Sequence, residues 1–109
     1  MTEWPSKDPG ESVLLVFKFA NQMETTETIQ TVDYEVTDLT GLDASPLNIL
    51  AGTSTIIGTD VLRPTSGSKL VPGGLDKSRY YVKCFGNMSS GRRRLVDAIL
   101  PVELKTGIT

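Results

Sequence analysis

The feature that most limits the fold of this chain is the alternation of apolar and polar residues in short segments. In residues 12–20, the apolar side chains at every second position are Val13, Leu15, Phe17 and Phe19. Side chains two residues apart point to the same face of a β-strand. The same period recurs in residues 29–38, 79–85 and 92–105. Short alternating segments bounded by turn residues are typical of antiparallel sheets, so we predict an all-β fold.

Turn residues recur about every 8 to 12 positions, which favours a β-sandwich of about six to eight antiparallel strands. Residues 54–57 and 59–62 are predicted as brief strand-like pieces around Gly58, or as one strand with a bulge there, and residues 45–51 could form a short helix. Pro101 cannot donate a hydrogen bond to a sheet, so the last strand is predicted to lie at an edge or to bulge there. Tyr80 is the candidate for the tyrosine corner of such folds, in which the hydroxyl bonds back across a connection.

The length of 109 residues indicates a single domain, since domains typically hold about 50 to 250 residues. Residues 1–11 include Pro5 and Pro9 and show no apolar period, so they are predicted to form an extended N-terminal arm. Residues 12–105 are predicted to form the sandwich, and residues 106–109 a short C-terminal tail.

Histidine is absent, and Cys84 is the one cysteine. Histidine dominates general acid–base catalysis and metal binding near neutral pH. Its absence excludes Ser–His–Asp and Cys–His catalytic arrangements and zinc sites built from histidine and cysteine. Cys84 is predicted to be a buried structural thiol. We therefore expect a protein that is not an enzyme and that uses no cofactor.

Three carboxylates, those of Asp33, Glu35 and Asp38, are predicted to lie on the polar face of one strand. Paired carboxylates serve glycosidases and calcium sites. Alternate placement along a strand is more typical of simple solvation, and the spacing of a calcium-binding loop is missing. We predict no metal site.

The net charge of −2 favours neither nucleic acid nor an anionic membrane as a partner. No apolar run reaches the about 20 residues that a membrane span requires, and the N-terminus lacks the order of a signal peptide. We expect synthesis in a reducing cytoplasm, without a membrane partner or specific binding of nucleic acid.

The most distinctive stretch of the chain is Trp4-Pro5-Ser6-Lys7-Asp8-Pro9. One interpretation is a docking arm whose tryptophan enters a pocket of a neighbouring protein, because buried aromatic residues anchor interfaces. The other is that Trp4 folds back on its own domain and closes one end of it. The sequence leaves both interpretations open.

A second charged feature is the run Arg92-Arg93-Arg94, with Lys83 predicted nearby across a hairpin. Such a cluster could meet a carboxylate patch or DNA in a channel. The commoner interpretation is a solvated strand end that prevents edge-to-edge aggregation.

The Trp4–Pro9 phrase, with Glu11 after it, resembles the opening of short phage proteins known as fibre–tail adaptor proteins. Similarity continues in the last third of the chain, where Gly73 and Gly74 precede a strand that contains Tyr80. The resemblance implies an immunoglobulin-like β-sandwich and a non-catalytic connector in the neck or tail of a bacteriophage particle, made in the cytoplasm of the bacterial host. The implied partners are other virion proteins, such as tail fibre, tail and head–tail connector proteins, and a ring of identical copies would suit this place.

The residues predicted to contact such partners come from the arm and from the basic run. They are Trp4, Pro5, Lys7, Asp8, Pro9, Arg92, Arg93 and Arg94. Two other functions compete with the connector: decoration of the capsid, and recognition of a host glycan or receptor through loops at the end of the sandwich.

Overall fold

The computed structural model describes residues 2–8, 10–66 and 78–103. These residues contain seven strands in two sheets and two short 3₁₀ helices, with no α-helix among them. The strands are β1 (Thr2–Glu3), β2 (Leu14–Lys18), β3 (Ile29–Asp38), β4 (Thr55–Ile57), β5 (Asp60–Pro64), β6 (Arg79–Met88) and β7 (Arg93–Pro101). The 3₁₀ helices are Ala20–Gln22 and Pro46–Ile49. The prediction of an all-β fold is confirmed.

The larger sheet has the order β1-β7-β6-β3. β3, β6 and β7 are antiparallel neighbours, and their register places Tyr34 opposite Cys84 and Cys84 opposite Val96. β1 adds a short parallel strand, which pairs with β7 at Ala98 and Ile99. The expectation that every strand would be antiparallel is therefore wrong at β1.

β7 was predicted to form an edge or to bulge at Pro101. Pro101 instead pairs in register with Arg79, and the chain start lies along the other side of β7. The carbonyl of Pro101 accepts a hydrogen bond from the Lys7 N–H at 2.9 Å. Proline lacks an N–H, but this is tolerated here because the N-terminal segment bonds only to the carbonyl of Pro101.

The smaller sheet has the order β2-β5-β4, with antiparallel pairing throughout. β4 and β5 form a hairpin in which Gly58 has a φ of +61°. Of the two predictions for residues 54–62, the two brief strands are confirmed. The single bulged strand is wrong, because a two-residue turn with a left-handed glycine reverses the chain there.

Residues from both sheets form a common core. β2 contributes its odd-numbered residues Leu15 and Phe17, and Phe19 follows them, as the alternation predicted. They pack with Val61 of β5 and with side chains of β6 and β7, namely Tyr80, Val82, Cys84, Met88 and Leu100. Each of these side chains is at most 2 % exposed, so the interior between the sheets supplies most of the hydrophobic stabilisation.

β6 and β7 are joined by the predicted polar hairpin. Met88 N–H donates to the Arg92 carbonyl at 2.8 Å, and Gly91 N–H donates to the Met88 carbonyl at 3.0 Å. Gly91 has a φ of +89°, a conformation that favours glycine. Gly73 and Gly74 of the resemblance and the predicted C-terminal tail at residues 106–109 lie outside the described residues.

Candidate functional site

The N-terminal segment, residues 2–8, lies along the edge of its own larger sheet. Trp4 N–H donates to the Ile99 carbonyl at 2.9 Å, and the Lys7 carbonyl accepts from Glu103 N–H at 2.9 Å. Lys7 forms a parallel bridge with Val102. Backbone pairing therefore holds this segment beside β7, and Pro9 lies outside the described residues.

Trp4 packs on the core of its own domain. Its ring is 5.3 Å from the ring of Phe17, edge to face at 88°, an arrangement that stabilises aromatic pairs. The side chain is half-buried. Of the two interpretations that the sequence left open, this geometry matches the one in which Trp4 folds back, while its outer part stays available to solvent.

Lys7 is buried, with 0 % of its surface exposed. Its ammonium group donates to the Asp8 carbonyl at 3.1 Å. Burial lowers the pKa of Lys7, and the carboxylates of Glu11 and Asp8 oppose that shift. Asp8 is also used locally, because its carboxylate accepts from Gly10 N–H at 2.8 Å. In this arrangement Lys7 and Asp8 hold the segment in place, and contact of the Lys7 ammonium with a partner would require the segment to leave the sheet.

An apolar groove of about 340 Å³ opens beside the N-terminal segment. Its apolar lining consists of Trp4, Pro5, Val13, Leu14, Leu15 and Leu100, and its polar margin of Ser6 and Glu11. Leu15 and Leu100 are buried and form its floor, whereas Leu14 and Pro5 are exposed walls. A second depression of about 250 Å³ lies on the other side of Trp4. Its lining is apolar at Val16, Val96 and Ala98 and charged at Lys18 and Asp97.

The three arginines Arg92, Arg93 and Arg94 each have an acidic neighbour from another strand or turn. Arg92 lies 2.8 Å from Glu24, Arg93 lies 3.7 Å from Asp33, and Arg94 lies 3.7 Å from Glu27. The guanidinium group of Arg93 also stacks 4.1 Å from the centre of the Phe85 ring.

Lys83 is not opposite this run, because it pairs in register with Asp97 and Glu35. Within the described residues the arginines are thus spread over separate ion pairs instead of forming one basic patch. This distribution of charge suits a solvated strand end better than a surface for DNA.

The carboxylates of β3 divide between the two faces of the sheet. Asp33 and Glu35 are exposed, as predicted, but Asp38 is buried, so its predicted place on the same polar face is wrong. The reason is parity, because residue 38 shares its face with Tyr34 and Val36.

The Asp38 carboxylate organises the connection that follows β3. It accepts hydrogen bonds from Thr40 N–H, Thr40 Oγ1 and Asp43 N–H at 2.9, 2.6 and 2.9 Å. Burial alone would raise the pKa of Asp38, but these hydrogen bonds and a weaker one from Ser78 lower it overall. Tyr80, the predicted corner tyrosine, donates its hydroxyl to Asp43 Oδ2 at 2.8 Å, so it bonds to the connection that Asp38 organises.

The outer side of the smaller sheet forms a surface that we call the apolar face. Its apolar residues are Leu14 and Val16 of β2, Leu62 and Pro64 of β5, and Ile57 of β4. The polar residues Lys18, Thr55 and Asp60 share this face, and Ile57 pairs with Asp60. Leu14 is 55 % exposed and Ile57 is 61 % exposed. The sequence carried a signal for this face, because residues 13–17 are apolar without interruption, and such a run places apolar residues on both faces of a strand.

The described residues contain no group of three or more His, Cys, Asp or Glu side chains arranged to hold a metal ion. Cys84 is buried, and burial raises its pKa to about 12. Its buried surroundings are those of a structural cysteine, since reactive thiols lie in exposed, electropositive sites. The prediction of a buried thiol is confirmed.

No family model and no curated protein matches this chain. Within the part of the chain that the structure describes, no helix is long and apolar enough to cross a membrane.

Proposed function

We propose that this chain is a non-enzymatic structural protein of a bacteriophage particle. It acts as an adaptor of the tail or neck, which connects fibres or neighbouring tail and neck proteins through repeated contacts. The observation that carries this proposal is the apolar face of the smaller sheet. Leu14, Val16 and Leu62 are neighbours on it, and clustered exposed apolar side chains can mark contacts with other proteins.

The chemistry of the apolar face favours a protein partner over a small ligand. Val16 and Leu62 lie on the outer side of a sheet, which does not enclose a small molecule as a concave pocket does. An apolar centre with a polar margin, here Lys18 and Asp60, has the composition of a protein interface. Contacts of moderate strength gain avidity when many copies bind together, as in a ring.

The order of the strands supports an immunoglobulin-like sandwich within this proposal. Such domains place strands B, E and D in one sheet and strands C, F and G in the other. The orders β2-β5-β4 and β3-β6-β7 correspond to these two sets. The Trp4–Pro9 phrase adds the resemblance to fibre–tail adaptor proteins.

The predicted contact residues take different roles in this proposal. Trp4 and Pro5 line the groove and offer apolar surface to a partner. Lys7 and Asp8 act inside the domain by keeping the N-terminal segment on β7. Arg92 and Arg93 remain accessible at the start of β7, where they could exchange their present acidic neighbours for those of a partner.

A pair of matched variants tests this function in particles. Val16→Lys adds one charge to the apolar face, and Thr37→Lys adds one charge to an exposed position of β3 on the other sheet. We expect the wild-type chain and Thr37→Lys to be found in purified phage particles by mass spectrometry. We expect Val16→Lys to be depleted about tenfold or more, with a melting temperature close to that of Thr37→Lys.

Absence of the wild-type chain from particles of its own phage would refute the proposed function. Equal incorporation of Val16→Lys and Thr37→Lys would show that the apolar face is not the contact surface. A label found on the capsid, or specific binding of the isolated protein to a host glycan, would favour one of the two competing functions instead.

A further inference from the structure

The connection after β3, residues 39–47, presents three leucines to solvent, and we call it the leucine loop. Leu39 is 51 % exposed, Leu42 is 73 % exposed and Leu47 is 53 % exposed. A single exposed leucine carries little information, because much of any protein surface is apolar. The leucine loop is different because its backbone is held in one shape.

Several hydrogen bonds fix that shape. The buried Asp38 carboxylate accepts from Thr40 N–H and Asp43 N–H, each at 2.9 Å. Gly41 adopts a φ of +74° between them. Asp43 accepts in turn from the hydroxyl of the buried Tyr80 at 2.8 Å. A loop fixed in this way loses little conformational entropy when its exposed side chains bind a partner.

The apolar groove beside the N-terminal segment offers a complementary surface. Its volume of about 340 Å³ is open to solvent, and its floor of Leu15 and Leu100 is buried and apolar. Leu14 and Trp4 form walls on either side. Such a groove suits an aliphatic side chain that enters from outside.

The topology places the leucine loop and the groove on opposite edges of the domain. The leucine loop follows β3, which is the last strand of the larger sheet, and the groove lies at β1 and β2, which begin the two sheets. Both lie at one end of the strands, because Tyr80 and Leu100, which pair in register, adjoin the leucine loop and the groove respectively. Translation of a copy along the sheet direction therefore brings one feature toward the other.

We infer that the leucine loop of one copy docks into the apolar groove of the next copy. This inference rests on the proposed function, since it names the partner as a second copy of the chain. The contact is heterologous, and a repeated heterologous contact closes into a ring when its rotation permits. One loop in one groove covers less than the about 1,200 Å² of a stable pairwise interface, so closure of the ring supplies the avidity that a single contact lacks.

Paired cysteine variants test this contact. Leu42→Cys places a thiol on the leucine loop and Ser6→Cys places one at the margin of the groove. Cys84 is buried and does not compete for the cross-linking reagent. In an equimolar mixture of the purified full-length variants at about 1 mM, we expect a cross-linked heterodimer of Leu42→Cys with Ser6→Cys. Its yield should exceed by about tenfold that of a control mixture of Leu42→Cys with Gln30→Cys, because Gln30 is exposed at the other end of β3 and lies outside both the groove and the apolar face.

The double variant with both Ser6→Cys and Leu42→Cys extends the test to assembled particles. A ladder of linked copies in particles supports the inference, and so does the solution heterodimer. Particles that carry the double variant but yield no ladder, together with no heterodimer above control in solution, would overturn the contact and leave the proposed function standing. Dominant homodimers of Leu42→Cys would overturn it in favour of a two-fold contact. Absence of the chain from particles would instead refute the proposed function, and the solution experiment would then decide the contact alone.

Discussion

The outward faces of the two sheets differ in chemistry, although alternate residues of β-strands supply both. On the larger sheet, the outward positions of β3, β6 and β7, which we call the polar face, include Phe85, Leu95 and Ile99, but several of their polar groups have partners within the chain. Asp33 accepts from the side-chain amide of Asn87 at 3.1 Å, and Lys83 lies 5.3 Å from the Tyr81 ring. Tyr81 in turn donates its hydroxyl to Asp97. On the smaller sheet, the corresponding positions form the apolar face.

This difference indicates a division of tasks between the sheets. Polar groups that bond to one another on an exposed sheet face keep that face solvated and specific in register. Exposed apolar surface is unfavourable in water, and its burial under another protein lowers the free energy. Large exposed apolar patches therefore often mark protein contacts. In the proposed function, the interior between the sheets therefore stabilises the fold and the apolar face binds the partner.

The largest expected effect separates the two faces of β2. Phe17→Ala removes a buried ring that contacts both Trp4 and Tyr34, and should lower the free energy of unfolding by about 3–5 kcal/mol. Val16→Ala, one residue away on the outward side, should change it by about 0.5 kcal/mol or less. Urea unfolding of both variants measures the difference, and similar losses would contradict the division between interior and apolar face.

The next effect compares two carboxylates of β3. Asp38→Asn replaces a buried acceptor of three hydrogen bonds from Thr40 and Asp43, and should cost about 1–3 kcal/mol of unfolding free energy. Asp33→Asn is the matched control on the polar face and should cost about 0.5 kcal/mol or less. If the control lost as much as Asp38→Asn, the polar face would contribute to folding more than we assign to it.

Acid titration sharpens the same comparison. The pKa of Asp38 is lower in the folded protein than its ordinary value, so its contribution is complete above the unfolded pKa of about 3.9. That contribution is lost as the pH falls through the folded pKa. The gap in stability between wild type and Asp38→Asn should therefore narrow below about pH 4. A gap that stayed constant down to pH 2 in circular dichroism melts would contradict the role of the ionised carboxylate.

The smallest effect concerns the ion pairs of the polar face. Arg93→Ala removes the contact with Asp33 and the stacking on Phe85. Because Arg93 is half-exposed, we expect a loss of only about 0.2–1 kcal/mol, and the loss should shrink at high salt. Unfolding at two salt concentrations measures this loss. A loss of unfolding free energy larger than that of Asp38→Asn would show that the polar face contributes strongly to folding.

The sequence predicted those parts of the fold that depend on local periodicity. The alternation of Leu15, Phe17 and Phe19 identified the inward face of β2, and the polar residues around Gly91 identified the β6–β7 hairpin. Two predictions stayed open at Gly58, because a bulge and a two-residue turn both place a glycine between short apolar segments. Counting residues along β3 would have placed Asp38 on the inward face.

Other parts of the candidate site depend on contacts between distant residues. The pairing of β1 with β7 joins residues 2–3 to residues 98–99. A pairing between residues so far apart in sequence cannot be predicted from a local pattern. The burial of Lys7 was also unexpected, because lysine is almost never fully buried unless it is paired. Such positions are decided by tertiary packing, which a local pattern of residues does not contain.

The most direct test of the proposed function is a cryo-electron microscopy reconstruction of the phage neck and tail in which we propose that this chain lies. We predict copies of the domain in a cyclic arrangement, with the apolar face of Leu14, Val16 and Leu62 covered by another protein chain. A particle without this domain, or one in which the domain is present with that face open to solvent, would contradict the claim.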